Sequence, residues 1–397
     1  MVRALMVAYS CDPDSGSEDE VGWQLASRIA RRHTVHLLTR PRARTAIEKA
    51  IAEDPAMDLT VEYHEMRVLR RLKYLGLPVS NLRYLAWNHR LADRVAELEA
   101  DFDVVHHTTW VRHWMPSGAA GARSTPFVWG PVGAAERAPR GLIQSLAWRE
   151  VAGEMAREVG PHLLRADPLM RKTLQRVDVA VAASPETVHW MERRGIDVTL
   201  APSVGYDPAE ISPWDGEPEQ DFVSVGRLLG WKGFHLGIRA FSRLAGSDAT
   251  YRIIGEGPAE ERLRRLAREL GVEERVIFSG RLSREEVLAA VGRSRVLVHP
   301  SFHDSGGFVI VEAMASGVPV VTLDIGGPPY LAGPGGLAVD PTPAHSVVDR
   351  LAAAMVQGLR EHSSLSRLAL ERAKELTWDS IVDTYDGVYS QAQLSIN

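Results

Sequence analysis

Residues 223–233 read Val223-Ser224-Val225-Gly226-Arg227-Leu228-Leu229-Gly230-Trp231-Lys232-Gly233, and this stretch decides how the rest of the chain is read. A short apolar run ends in glycine, two cations follow, and a helical pattern starts at Gly233 and runs to Leu244. Strand, glycine turn and helix in that order form the repeating unit of doubly wound α/β sheets. Glycine lets the backbone turn sharply where the strand ends. Arg227 offers a planar fork for phosphate oxygens and Lys232 a mobile point charge. Such a pair suits a diphosphate whose charge grows as it leaves. The same residues also fit a solvent-exposed basic turn, because short motifs recur by chance.

The pattern repeats outward from this point. Downstream, strands are predicted at 251–254, 275–278, 296–299 and 318–321, with helices over 261–270 and from Ser283. Ser283-Arg284-Glu285-Glu286 is a capping box. Upstream, strands are predicted at 5–9, 33–39, 103–106, 126–129 and 179–182, with a helix over 20–32. Continuous apolar strands alternating with amphipathic helices imply parallel sheets covered on both faces. Pro202, Pro208, Pro213 and Pro218 fall in a stretch without periodicity and mark a linker. The expected architecture is α/β: two Rossmann-like, doubly wound domains facing a central cleft, with ligands beyond the carboxyl ends of the strands.

Composition narrows the function. The 397 residues are 45% apolar and 24% charged, with a net charge of −5. That balance is ordinary for a soluble globular protein and lacks the basic footprint of a nucleic-acid binder. Cys11 is the single cysteine, so no intrachain disulfide can form and a reducing compartment is expected. The N-terminal apolar run is too short for a signal peptide, and no stretch reaches the ~20 apolar residues of a membrane span. A cytoplasmic location is therefore expected. The basic, partly apolar segment 67–74 suits either a solvated helix or at most peripheral membrane contact.

A second chemical element is His299-Pro300-Ser301-Phe302-His303-Asp304-Ser305-Gly306-Gly307-Phe308, leading into Val309-Ile310-Val311-Glu312-Ala313-Met314-Ala315. Gly306 and Gly307 precede a predicted helix N-terminus, where free N–H groups and the dipole favour anions. Asp304 and Glu312 suit hydroxyl groups better than phosphates, which would repel them. Glu312 also fits a first-turn acid favoured by the dipole alone.

Together these elements resemble the retaining glycosyltransferases of the GT-B fold, family GT4, which carry Gly-Arg…Lys-Gly followed by a Glu-x7-Glu pattern ending in Glu-Ala-Met-Ala. Ile254-Gly255-Glu256-Gly257-Pro258 and Val276-Ile277-Phe278-Ser279-Gly280 fall where that family has its nucleotide-side strands. The resemblance implies transfer of a sugar from a nucleoside-diphosphate sugar to a small hydroxylated, lipid-linked or saccharide acceptor, with no resident metal or cofactor. It implies that residues 1–205 bind acceptor, that 206–376 bind donor, and that 377–397 form a helix packing back on the first domain. Arg227 and Lys232, after Gly226, would bind the diphosphate, and Glu312 the ribose. Asp304 would contact the sugar with the backbone of Ser305, Gly306, Gly307, Phe308 and Val309. Gly255, Arg281 and Leu282 would lie on the nucleotide side. Ser15-Gly16-Ser17-Glu18 resembles the family's glycine loop, and also reads as a plain strand-to-helix turn.

Two positions depart from the family pattern. Asp304 stands where Glu is usual, shortening the reach by one methylene. Gly130-Pro131 stands where many relatives carry a histidine. His106 and His107 are the remaining acceptor-side candidates, with a structural role equally open. His106, His107 and His113 lack a convincing ligand set for zinc, no Gly-x-Ser-x-Gly elbow occurs, and Gly255-Glu256-Gly257 falls short of a dinucleotide fingerprint. Two alternatives stay open: a nucleotide-sugar epimerase of the same fold, and a binding subunit that has lost transfer.

Overall fold

The computed structural model describes residues 1–65, 80–148, 150–155, 164, 166–214, 216–244 and 248–394. The basic segment 67–74 lies outside the described residues. The chain divides into two compact units, one of Met1–Ala135, Arg157–Ser203 and Trp378–Asn397, the other of Glu136–Ala156 and Val204–Thr377.

The first unit is built on seven parallel strands: β1 (Arg3–Ala8), β2 (Thr34–Thr39), β3 (Leu59–Tyr63), β4 (Val104–Thr109), β5 (Phe127–Val132), β6 (Val179–Ala182) and β7 (Asp197–Leu200). Their order is β3-β2-β1-β4-β5-β6-β7. Ala4 through Ala8 are completely buried, as a strand covered by helices on both faces requires. The last helix, Trp378–Leu394, belongs to this unit. Trp378, Tyr385 and Tyr389 on it are buried, the Tyr389 hydroxyl is 2.8 Å from His106 Nδ1, and Asp379 pairs with Arg28 at 2.9 Å. Burying a large apolar ring contributes roughly 2–3 kcal/mol, so the helix is an integral layer.

The second unit has six parallel strands: β8 (Gln220–Val225), β9 (Tyr251–Ile254), β10 (Val276–Gly280), β11 (Ser294–His299), β12 (Val320–Leu323) and β13 (Gly336–Val339). Their order, β10-β9-β8-β11-β12-β13, is the 3-2-1-4-5-6 winding of a dinucleotide-binding sheet. The capping box forms as read: Glu286 N–H donates to Ser283 Oγ at 3.2 Å and Ser283 N–H to Glu286 Oε2 at 2.8 Å.

Residues 136–156 join the second unit, although the sequence reading groups them with the first half. Leu142 and Leu146 are buried in the second core, and Glu150 pairs with Arg262 at 2.9 Å. Tertiary burial, not chain order, assigns the segment.

Candidate functional site

In the second sheet β8 and β11 are neighbours, but the chain leaves β8 toward β9 and β11 toward β12. The loops at their carboxyl ends diverge, and a doubly wound sheet binds ligands at such a point. The loop after β8 holds Gly226, Arg227 and Lys232, and the loop after β11 holds Asp304 through Gly307. The two loops are locked together. Phe302 N–H donates to the Trp231 carbonyl at 2.8 Å. Gly233 has φ 72°, and a Cβ there would lie 1.9 Å from the Pro300 carbonyl oxygen. Gly255 (φ 131°) brings the loop after β9 equally close, since its Cβ would lie 2.0 Å from the Gly226 carbonyl oxygen.

Lys232 Nζ donates to Asp304 Oδ1 at 3.0 Å and Oδ2 at 2.8 Å. His299 Nε2 donates to the same Oδ2 at 2.8 Å. The side chains of Lys232 and Asp304 are 18% and 16% exposed, so solvent screens the pair only partly. Burial by itself would raise the Asp304 pKa, but the Lys232 charge and the His299 hydrogen bond hold it well below the usual carboxylate range. The sequence places Lys232 on a diphosphate and Asp304 on a sugar; the structure joins them to each other. An ammonium has three N–H donors, and Asp304 occupies two, leaving one for a further acceptor. Arg227 is exposed, and its guanidinium pairs with no carboxylate among the described residues.

The helix Phe308–Ala315 starts after Gly307. Its Glu312 is buried rather than an exposed first-turn acid, and it pairs with Arg284 Nη1 at 3.1 Å. Burial raises the Glu312 pKa, and the Arg284 charge offsets part of that. Arg281 is exposed and pairs with Glu256 at 3.3 Å across the ends of β9 and β10. Leu282 is half-buried beside it.

Residues 136–156 add two acids that sequence reading missed. Glu136 accepts a hydrogen bond from the Ser305 hydroxyl. Glu154 Oε2 is 2.6 Å from His303 Nε2, with both side chains buried. They fix the two residues that flank Asp304. No local signal marks either acid, since more than a hundred residues separate each from its partner. His299 was also missed, and its signal is its place as the last residue of β11.

In the first unit, Gly16 and Ser17 lie between β1 and the helix Glu18–Ala30, which Glu18 opens. Glu18 Oε2 accepts the Trp110 N–H at 3.1 Å. His106 and His107 are completely buried and present no surface to an acceptor. His106 Nε2 is 2.8 Å from the Gly130 carbonyl oxygen and His107 Nδ1 is 2.6 Å from Ser117 Oγ. Burial pushes their pKa values down to about 4 and about 3. Gly130 and Pro131 are likewise buried in β5. Among the described residues no group of three or more His, Cys, Asp or Glu is arranged to hold a metal ion. No described helix is long and apolar enough to cross a membrane.

The profile of the family described as Glycosyl transferases group 1 matches residues 212–368. A 2-deoxystreptamine glucosyltransferase of Streptomyces kanamyceticus is 33% identical over 150 residues, 33% of this chain and 38% of that protein. A D-inositol 3-phosphate glycosyltransferase of Mycolicibacterium smegmatis is 32% identical over 222 residues, 52% of this chain and 50% of that protein. The chain thus spans half or less of the length of these curated relatives. A sucrose-phosphate synthase from Thermosynechococcus elongatus superposes with a TM-score of 0.65 at 18% identity, covering 98% of this chain and 99% of that one. Anabaena HepE in complex with UDP and glucose superposes with a TM-score of 0.60 at 16% identity, covering 98% and 100%. The two parallel sheets have the GT-B fold, and residues 212–368 of the second unit match the group 1 glycosyltransferase family.

Proposed function

We propose that the chain transfers a sugar from a nucleoside-diphosphate sugar to a hydroxyl of an acceptor, with retention at the anomeric carbon and without a resident metal. The observation that supports this is the convergence of Arg227, Lys232, the Phe308–Ala315 helix start and Glu312 at the carboxyl ends of β8 and β11. Arg227 and the remaining Lys232 N–H face the diphosphate, whose charge grows as the anomeric bond breaks, so both bind more tightly as the reaction proceeds. The helix N-terminus adds backbone N–H donors on the same side. Glu312, oriented by Arg284, accepts from the ribose hydroxyls. Asp304 accepts from sugar hydroxyls while it holds Lys232 in place. No side chain in this arrangement serves as a nucleophile, so the leaving phosphate takes the acceptor proton and attack comes from the same face. UDP, present in the HepE structure, is the first nucleotide to try. The lone, buried Cys11 suits a reducing, cytoplasmic setting.

The test is thermal unfolding with UDP, GDP, ADP or dTDP. A ligand at 100 times its Kd stabilises the folded state by about 2.7 kcal/mol. A shift with one nucleotide identifies the base, and acceptor-dependent release of that nucleotide from its sugar conjugate identifies a transferase. No shift with any of the four removes the donor site. Release of nucleotide and the free sugar epimer without acceptor would instead mark an epimerase.

A further inference from the structure

The first unit has its own switch point, where β1 turns toward β2 and β4 toward β5. A pocket of about 350 Å³ opens at the carboxyl ends of these strands. Arg40, Arg42, Arg83 and Arg112 line it together with two carboxylates, Glu18 and Asp19, so cations outnumber acids four to two among the lining residues. The acids are already engaged: Asp19 pairs with Arg42 at 3.5 Å and Glu18 accepts the Trp110 N–H. Arg40 is fixed, donating to the Tyr9 carbonyl and to Ser10 Oγ at 3.3 Å, with its guanidinium 3.7 Å above the Tyr9 ring centre. Arg112 lies 5.1 Å over the Trp110 ring. Arg83 is half-buried and pairs with no carboxylate among the described residues.

A neutral saccharide gives no reason to gather four guanidinium groups in a concavity, where like charges repel and desolvation costs free energy. A compact dianion does. We propose that this pocket seats a phosphate monoester on the acceptor, gripped by Arg83 and Arg42 while the Ser17 and Glu18 loop faces the hydroxylated part. A phosphomonoester carries about −1.5 to −2 charges at pH 7, matching the excess of two cations in the lining better than a single carboxylate. Calling the ligand the acceptor rests on the transfer reading above; that a phosphate ester binds does not.

The probe is glycerol 3-phosphate, titrated calorimetrically against glycerol at matched ionic strength, with UDP saturating. We expect glycerol 3-phosphate to bind, glycerol not to bind, and Arg83→Gln to weaken glycerol 3-phosphate about tenfold with UDP affinity unchanged. Arg42→Gln is the second variant, with the same expected direction, should Arg83→Gln fold poorly. The proposal is overturned if neither ligand binds, if both bind equally, or if Arg83→Gln leaves glycerol 3-phosphate affinity unchanged. It is equally overturned if Arg83→Gln weakens UDP by the same factor, because the cations would then serve the donor. Binding to phosphatidylglycerol vesicles without binding to glycerol 3-phosphate would point to a lipid surface and also overturn it. If UDP fails to bind while glycerol 3-phosphate binds, the transfer reading fails and this site stands.

Discussion

Replacing Lys232 and Asp304 singly and together separates two roles that the geometry gives to one ion pair. Lys232 Nζ reaches both Asp304 oxygens, at 3.0 and 2.8 Å, in a site where the side chains are 18% and 16% exposed. Removing one member of a buried pair costs about 3–5 kcal/mol, and the residual exposure here favours the lower end. Lys232→Met should cost about 2 kcal/mol, because His299 still donates to Asp304. Asp304→Asn should cost about 3 kcal/mol, because Lys232 then faces no carboxylate. The double variant should cost less than the sum, by about 2 kcal/mol of coupling. Urea unfolding at pH 7 measures all four proteins. Asp304 titrates below its ordinary 3.8, so the pair's contribution is complete above that pH. It is lost as pH falls further, where wild type and Asp304→Asn should converge. Nucleotide binding separates the roles. A charge-assisted hydrogen bond contributes about 1.5–3 kcal/mol, so Lys232→Met should weaken UDP by about tenfold or more. Asp304→Asn frees the ammonium and should leave UDP as tight or tighter, while turnover falls. Equal weakening by both variants, or coupling under about 0.5 kcal/mol, would refute the assignment of Lys232 as an anion ligand steered by Asp304.

Gly233→Ala should cost at least about 2 kcal/mol and abolish the nucleotide-induced thermal shift, because its Cβ would lie 1.9 Å from a backbone oxygen at φ 72°; an unchanged melting temperature would show that the loops part easily. His106 and His107 stay neutral in the fold with pKa values near 4 and 3, against 6.5 when free. Stability should therefore fall as pH drops from 6.5 toward about 4, by about 1.4 kcal/mol per pH unit for each histidine. His106→Gln should remove one proton's share of that slope in urea midpoints taken across the range, and an unchanged slope would place the titration elsewhere.

What the sequence made legible follows the physics of burial. β1, β8 and β11 lie inside their sheets, and the reading finds them as unbroken apolar runs. β3, β7 and β13 escape it, and each is an edge strand. Asp197-Val198-Thr199-Leu200 is exposed or half-buried along its length, so selection for apolar residues is relaxed there and the pattern blurs. The site shows the same division. Arg227, Lys232, Asp304 and Glu312 are legible because each sits at a fixed offset from a strand end. The Lys232–Asp304 bond spans 72 residues, and the supports from Glu136 and Glu154 come from farther still. Local pattern carries no information about such partners. His106 and His107 show the opposite case: a polar residue at a strand end suggests a site, but here both rings are buried, His106 hydrogen-bonded through both nitrogens and His107 through Nδ1.

The route of the chain also bears on how the molecule is made. The second unit needs residues 136–156 and 204–377, nearly all from one continuous stretch. The first unit draws on three stretches, the last beginning at Trp378. A ribosome releases these in order, so the first sheet emerges early but its covering helix emerges last. Until Trp378, Tyr385 and Tyr389 arrive, the nascent first half carries an uncovered apolar face and an unpartnered His106 ring nitrogen. Although it is synthesised second, the second unit is thus the one able to complete its core first, and the first unit has to wait for it.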